Sequence, residues 1–377
     1  MSTLDYFPLR DFDLPPGTNR HQDAPCQAHY TDPEVFQREL EAVFAQDWVM
    51  VGRAGSIPNP GDYFTALVGM KPVIVMRQDD GTIKAMGNFC LHRYARLLEG
   101  AGNTRKIVCP YHHWTYVRSG ELIGIPDRKG FDRERLKGIR LQPLACDEAL
   151  GFVFVSLRAD LPPLSQRLAA LDSLIANFGL GAYEEHHVVH EELWDGNWKL
   201  LIDNFIESYH TTYTHVDSIG PTNPSHLAEF GPVGDAHFAI HFNSYRPEDI
   251  PPCHKPRLTE AEKRRFYVIS LFPNGLAAID PNFVWWMALE PLGPWRSNAR
   301  WGLSYAPEAM AQPDAAAFRD TIRDVIETAT IEDKEMVHRV QDGAGFRTET
   351  PGFLHAPLEI NIREFNDYLA RKVGAAA

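Results

Sequence analysis

Two short pairs of metal-binding residues, Cys90-Leu91-His92 and Cys109-Pro110-Tyr111-His112, constrain this chain more than any other stretch. Within each pair a thiol and an imidazole lie close enough for one hairpin tip to present both to a shared centre, and sixteen residues separate the pairs. Two tips then make one site. A Cys2His2 set can hold a tetrahedral zinc, or a [2Fe–2S] cluster in which the cysteines take one iron and the histidines the other. Ligand order distinguishes these options, because a zinc finger keeps its cysteines in one pair and its histidines in the other. Here each pair is mixed.

The residues around the pairs read as a small all-β unit. WVMVGRAGSI, DYFTALVG, KPVIVMRQ and TIKAMGNF are β-rich runs, the Asp79-Asp80-Gly81 turn is a strong hairpin signal, and a further hairpin fits around Ser119-Gly120. Before them, a polar, proline-containing arm leads to Thr31-Asp32-Pro33-Glu34, which opens a helix through Asp47. After GFVFVSL, the proline-bearing LRADLPPLSQRL marks a boundary. We therefore expect an N-terminal arm and helix (1–44), a β-domain (45–160) and a second domain (161–377). That second domain carries a helix from about Ser165 to Phe178, aromatic-rich antiparallel strands, and a long helix opened by Pro313-Asp314 and ended by Gly343. The 377 residues suit about two domains. A formal charge of −13 without a lysine- or arginine-rich run argues against nucleic acid or an anionic membrane as partner. No run of about 18 apolar residues suggests a membrane span, and the first residues lack the pattern of a signal peptide, so a cytoplasmic protein is expected. Five cysteines, two of them in the ligand pairs, do not make a disulfide framework.

A second constellation follows in NWKLLIDNFIESYHTTYTH. Glu207 and His210 are three residues apart and would share a face of an α-helix. His215 is five beyond His210, so both imidazoles can reach one ion only if the helix ends or bends between them. Two histidines and one carboxylate make the usual non-haem iron site with an open face. Thr330-Ile331-Glu332-Asp333-Lys334 on the long helix offers two candidate carboxylates.

With both motifs in view the chain resembles the α-subunit of a Rieske non-haem iron ring-hydroxylating oxygenase. CLHR…CPYHHWTY and GNWKLLIDNFIESYHTTYTH carry the resemblance, which spans about residues 35–345. It implies an α+β architecture: an N-terminal all-β Rieske domain, then a helix-grip catalytic domain of antiparallel sheet plus long C-terminal helix. It implies a [2Fe–2S] cluster on Cys90, His92, Cys109 and His112, and a mononuclear Fe(II) on His210, His215 and Asp333, with Glu332 in reserve. It also implies a head-to-tail homotrimer in which Glu207 bridges the cluster of one subunit to the iron of its neighbour. Partners would be O2, a small organic substrate, and an NAD(P)H-dependent reductase with or without a ferredoxin. Glu rather than Asp at 207 resembles the branch acting on quaternary ammonium compounds. Tyr94 and His113 depart from the family pattern, Tyr94 standing where many members have Gly. Aromatic or trimethylammonium groups could sit among Asn204, Phe205, Phe272, Phe283 and one of Trp285 and Trp286, since alternation sends only one of the pair inward. The rival reading is a non-catalytic electron carrier or a zinc-stabilised scaffold.

Overall fold

Alternating apolar residues and glycine turns fold the first half of the chain into antiparallel ladders. The computed structural model describes residues 23–231, 235–346 and 348–375. One seven-stranded sheet has the order β1 (Val49–Arg53), β10 (Phe152–Ser156), β9 (Pro143–Ala149), β4 (Ile83–Gly87), β3 (Lys71–Arg77), β2 (Asp62–Val68), β5 (Ala101–Asn103). The Asp-Gly turn expected between β3 and β4 is present, with Gly81 at φ +82° and the Asp80 carboxylate accepting from the Thr82 amide at 3.0 Å. A three-stranded sheet of β6 (Lys106–Val108), β7 (Thr115–Val117) and β8 (Leu122–Gly124) stands beside it, and Gly120 makes the β7–β8 turn.

The second half builds another antiparallel seven-stranded sheet. Its order is β11 (Glu184–Trp194), β17 (Arg296–Tyr305), β16 (Phe283–Gly293), β15 (Gly275–Ile279), β14 (Arg265–Leu271), β13 (Phe238–Ser244), β12 (Ala228–Phe230). Sequence reasoning missed β15, because GLAAI has no β-branched residue before its last position. It becomes a strand by pairing with β14 on one side and β16 on the other. One face of this sheet packs against α5 (Trp198–Phe205), α8 (Ala315–Ala344) and α9 (Ile360–Ala375); the other covers α3 (Leu164–Arg167), α4 (Ala169–Ile175) and the short α7 (Pro307–Met310). The α+β class is as expected. The reading also missed α9, whose Ile362, Phe365, Tyr368 and Leu369 are buried at helical spacing.

Most of the proline-containing arm lies outside the described residues. Its end forms α1 (Ala28–Thr31), which buries Tyr30 and so joins the core rather than standing apart from it. Asp32 then caps α2 (Pro33–Glu39), which runs on as a π-helical turn over Leu40–Phe44. The two sheets share one core, and polar contacts pin them together. The Asn274 side chain accepts from the Met50 amide at 3.0 Å and donates to the carbonyls of Met50 and Leu289, each at 2.9 Å. Buried Asp47 pairs with Arg167 and, at 2.6 Å, with Lys372, and accepts from the Tyr368 hydroxyl at 2.9 Å.

Candidate metal centres and substrate cavity

The two Cys/His tips are built alike. In the first, after β4, the Cys90 amide donates to Ala95 O and the Tyr94 amide to Cys90 O, both at 2.8 Å. In the second, between β6 and β7, the Cys109 amide donates to Trp114 O at 2.8 Å and the His113 amide to Cys109 O at 3.0 Å. Tyr94 and His113 occupy the same place in each tip, at φ +63° and +56°. This is the left-handed region that glycine enters freely, so the two departures from the family pattern sit where the backbone is most demanding.

Cys90 and Cys109 are buried without a disulfide, over a small core that includes Ile74, Met86, Trp114 and Tyr116. The imidazoles of His92 and His112 face each other edge to face, 4.6 Å between centroids, and Trp114 stacks on His92. Both Nδ1 atoms are buried and have no hydrogen-bond partner among the described residues. Orphaning two ring nitrogens beside two thiols costs about 1–3 kcal/mol each unless a bound group takes them up. Burial pushes the Cys90 thiol above its ordinary value, offset in part by the Tyr116 hydroxyl at 3.3 Å, so a bare site holds protons that a metal would replace. The donor set fits a cluster ligated through two sulfurs and two Nδ1 atoms.

In the second constellation the structure corrects the expected helix. α5 ends at Phe205, so Glu207 and His210 do not share an α-helical face. The Glu207 carboxylate instead folds back on its own loop, accepting from the Tyr209 and His210 amides and meeting His210 Nδ1. A one-turn helix, α6 (Thr211–Thr214), then sets His215 at its C-terminal end. The β-branched threonines shorten it, and the bend that the spacing demanded is present.

His210 Nε2 and His215 Nε2 lie 3.2 Å apart, and Asp333 Oδ1 on α8 is 3.4 Å from the first and 3.2 Å from the second. These three atoms are the only metal-sized group of such donors among the described residues. Each outer ring nitrogen meets a further carboxylate: Glu207 at His210 Nδ1, and Glu332 at His215 Nδ1, 2.8 Å away. Adjacent Glu332 and Asp333 thus serve opposite edges of the imidazoles. Asn204 Nδ2 donates to Asp333 Oδ1 at 2.8 Å. Burial lowers the His210 imidazole, yet the surrounding carboxylates, Glu207 foremost, raise it to about 10. Burial raises Asp333, but the two imidazoles hold it far below the usual carboxylate range. So many carboxylates around two rings call for positive charge, and a divalent ion fits that demand.

The triad forms one wall of a cavity whose floor is the helix-covered face of the second sheet. Cross-strand register aligns His241, Val268, Ala278 and Trp285 in a single row over β13 to β16, with Asn243 and Phe266 paired beside it. All six line the cavity, together with Asn204 and Phe205 from α5 and Ile326, Ala329 and Thr330 from α8. Of the aromatic candidates, Phe205 and Trp285 are therefore in place. Trp286 points to the opposite core, where its indole donates to Glu185. Phe272 and Phe283 do not line the cavity. Phe272 packs on Phe365 and Tyr368 at the far end of the sheet, and Phe283 packs behind Phe266, against Tyr305 and Phe318. His241 and Asn243 escaped notice, although two polar residues at i and i+2 in AHFAIHFNSY were a readable signal. Burial pushes the His241 imidazole down to about 3, so it is neutral. A second cavity, about 590 Å³, lies on the other side of His210 and Glu207 and is also lined by Tyr30, Asp203 and Glu359.

Residues 47–140 match the family described as "Rieske [2Fe-2S] domain", and residues 180–375 match "Ring hydroxylating alpha subunit (catalytic domain)". A glycine betaine monooxygenase oxygenase subunit from Chromohalobacter salexigens is 39% identical over 193 residues, which are 50% of this chain and 42% of that protein. The large oxygenase component of a naphthalene 1,2-dioxygenase system from Pseudomonas putida is 36% identical over 50% of this chain and 43% of its own. The matches thus span less than half the length of these curated relatives. A solved quaternary ammonium Rieske monooxygenase superposes with a TM-score of 0.79 at 22% identity, covering 94% of this chain and 96% of the other, a likeness of fold.

Proposed function

The chain belongs to the ring-hydroxylating α-subunit family, with a Rieske [2Fe–2S] domain ahead of a mononuclear-iron catalytic domain, and from that premise we propose that it is the terminal oxygenase component of a multicomponent system. It hydroxylates a small organic substrate, aromatic or quaternary ammonium, using O2 and electrons from NAD(P)H relayed by a reductase. Residues 45–160 form the electron-receiving unit and 161–377 the catalytic one. The observation that carries this reading is the His210–His215–Asp333 triangle opening on an aromatic-lined cavity. An electron carrier has no use for it.

In this proposal Cys90, Cys109 and the Nδ1 atoms of His92 and His112 hold the cluster, and the two Nε2 atoms with Asp333 hold the iron. When bound, these groups supply reducing electrons and an open coordination face at which O2 is activated. Glu207 and Glu332 fix the tautomer and aim of His210 and His215, so that both present Nε2 to the metal. Asn204 holds Asp333 in place. Phe205, Phe266 and Trp285 exclude water and seat the substrate's apolar or methylated-ammonium part, a cation–π contact being worth about 0.5–2 kcal/mol per ring. Glu207 lies between the cavity and the second, larger one, with its carboxylate on His210 Nδ1. That position supports its role as the inter-subunit bridge in a homotrimer, where it can hold or pass a proton at Nδ1.

Metal analysis with oxygen uptake tests the proposal. The expected result is about three irons per chain, a Rieske-type paramagnetic signal on reduction, and uptake of O2 with aromatic or trimethylammonium substrates in the presence of a reductase. Two irons without uptake would make it a carrier, and stoichiometric zinc a scaffold.

A further inference from the structure

The cavity floor is rich in hydrogen-bond donors and poor in acceptors. His241 Nδ1 lies 3.4 Å from Asn361 Nδ2, and that same amide nitrogen donates to the Ile206 carbonyl at 3.2 Å, which fixes the amide's orientation. Nδ1 of His241 therefore accepts. The ring proton must sit on Nε2, the edge that has no partner among the described residues. Two residues along the same face of β13, Asn243 Oδ1 accepts from the Ser208 hydroxyl at 3.0 Å, leaving Nδ2 as a donor without a described partner. A third donor, Trp285 Nε1, is buried at the far end of the same row and has no partner among the described residues. On the helix side of the cavity Asn204 and Thr330 already donate to Asp333 and to the Ile326 carbonyl, and Thr211 and Glu207 line the wall beside the histidines. Among the described residues lining the cavity there is no arginine or lysine. An anionic group on the floor would lose its water without gaining a counter-charge from a side chain.

Resting on the oxygenase reading above, we infer that His241 and Asn243 form a polar anchor that selects substrates bearing an uncharged acceptor oxygen, such as a carbonyl, held on β13 while the rest of the molecule lies along Val268 and Ala278 toward Trp285. The two residues position the substrate and set specificity; neither takes part in bond making.

Anaerobic calorimetry on the iron-loaded protein tests this without turnover. The probes are acetophenone, its isostere α-methylstyrene, in which a methylene replaces the oxygen, and benzoate. Two neutral hydrogen bonds predict acetophenone binding about tenfold or more tighter than α-methylstyrene. H241F and N243L should each reduce that preference to about threefold or less, leaving the hydrocarbon's affinity within about twofold. H241Q, whose amide can donate from nearly the same place, should recover much of the preference, and it decides the matter if H241F disturbs the cavity and loses both probes. Equal or absent binding of the two probes by the wild-type protein, a preference that survives both substitutions, or benzoate binding more tightly than acetophenone would overturn the inference. Failure of the oxygenase reading shows differently, as missing iron or missing O2 uptake, whereas failure of the anchor shows as unchanged selectivity in iron-replete protein.

Discussion

Asp333 and Glu332 are neighbours on α8, yet one faces both Nε2 atoms and the other an outer Nδ1. Substitutions should separate them cleanly. Asp333→Ala should abolish mononuclear iron and turnover while leaving the Rieske spectrum unchanged, because the cluster residues lie in the other sheet system. Glu332→Gln should retain the iron and lose roughly 10–100-fold in activity, the usual range for a partner that only orients a ligand; iron determination beside oxygen uptake reads both. Complete loss of iron in Glu332→Gln would reverse the two roles. Glu207→Gln keeps a hydrogen-bonding group on His210 but removes the charge. Both metal centres should stay filled, and reoxidation of the reduced cluster with substrate and O2 should slow by roughly 10–100-fold. Stopped-flow absorbance would detect it, and a wild-type rate would take Glu207 out of the electron path.

α5 shows how one element serves packing and site together. Lys199, on its first turn, is fully buried and pairs with Glu39 of α2 at 2.7 Å, while Trp198 donates to the same carboxylate at 3.0 Å. Burial raises Glu39 and lowers Lys199, so each ion is tolerated only because of the other. Lys199→Met should therefore lose about 3–5 kcal/mol, seen as a large drop in Tm, and adding Glu39→Gln should restore much of it. A double variant no better than the single one would mean that packing, not charge, is at stake. The same helix marks the limit of what the sequence could tell. The ligand spacing and the Cys/His tips were legible because each depends on a few adjacent residues. The helix stop at Phe205 was not, since nothing in IES breaks a helix by itself; the Glu207 side chain does so by capturing the Tyr209 and His210 amides. β15 was hidden for a related reason, since GLAAI becomes a strand only by pairing with β14 and β16 on either side, whereas the i, i+2 spacing of His241 and Asn243 was legible and simply passed over.

At the scale of the whole molecule, Asp47 ties the end of the N-terminal helical segment to α3 through Arg167 and to α9 through Lys372 and Tyr368. Burial raises its carboxyl, but the two cations and their hydrogen bonds outweigh that and hold it below its ordinary value. A carboxyl depressed in the folded state stabilises the fold above its unfolded pKa, near 4, and loses that contribution as the pH falls toward the folded value. Urea midpoints should accordingly drop on acidification below about pH 4. Asp47→Asn should be less stable at pH 7 by about 3 kcal/mol and flatter across the acid range; an equally steep variant would assign the acid sensitivity elsewhere. The row His241–Val268–Ala278–Trp285 has a consequence of another kind. Its neighbours along each strand, such as Ile240, Ile269, Ala277 and Trp286, belong to the opposite core, and the side chains of the proposed iron site come from other elements. Under the oxygenase function proposed above, single codon changes along that row would therefore alter which molecule the protein accepts while leaving its ligand set untouched.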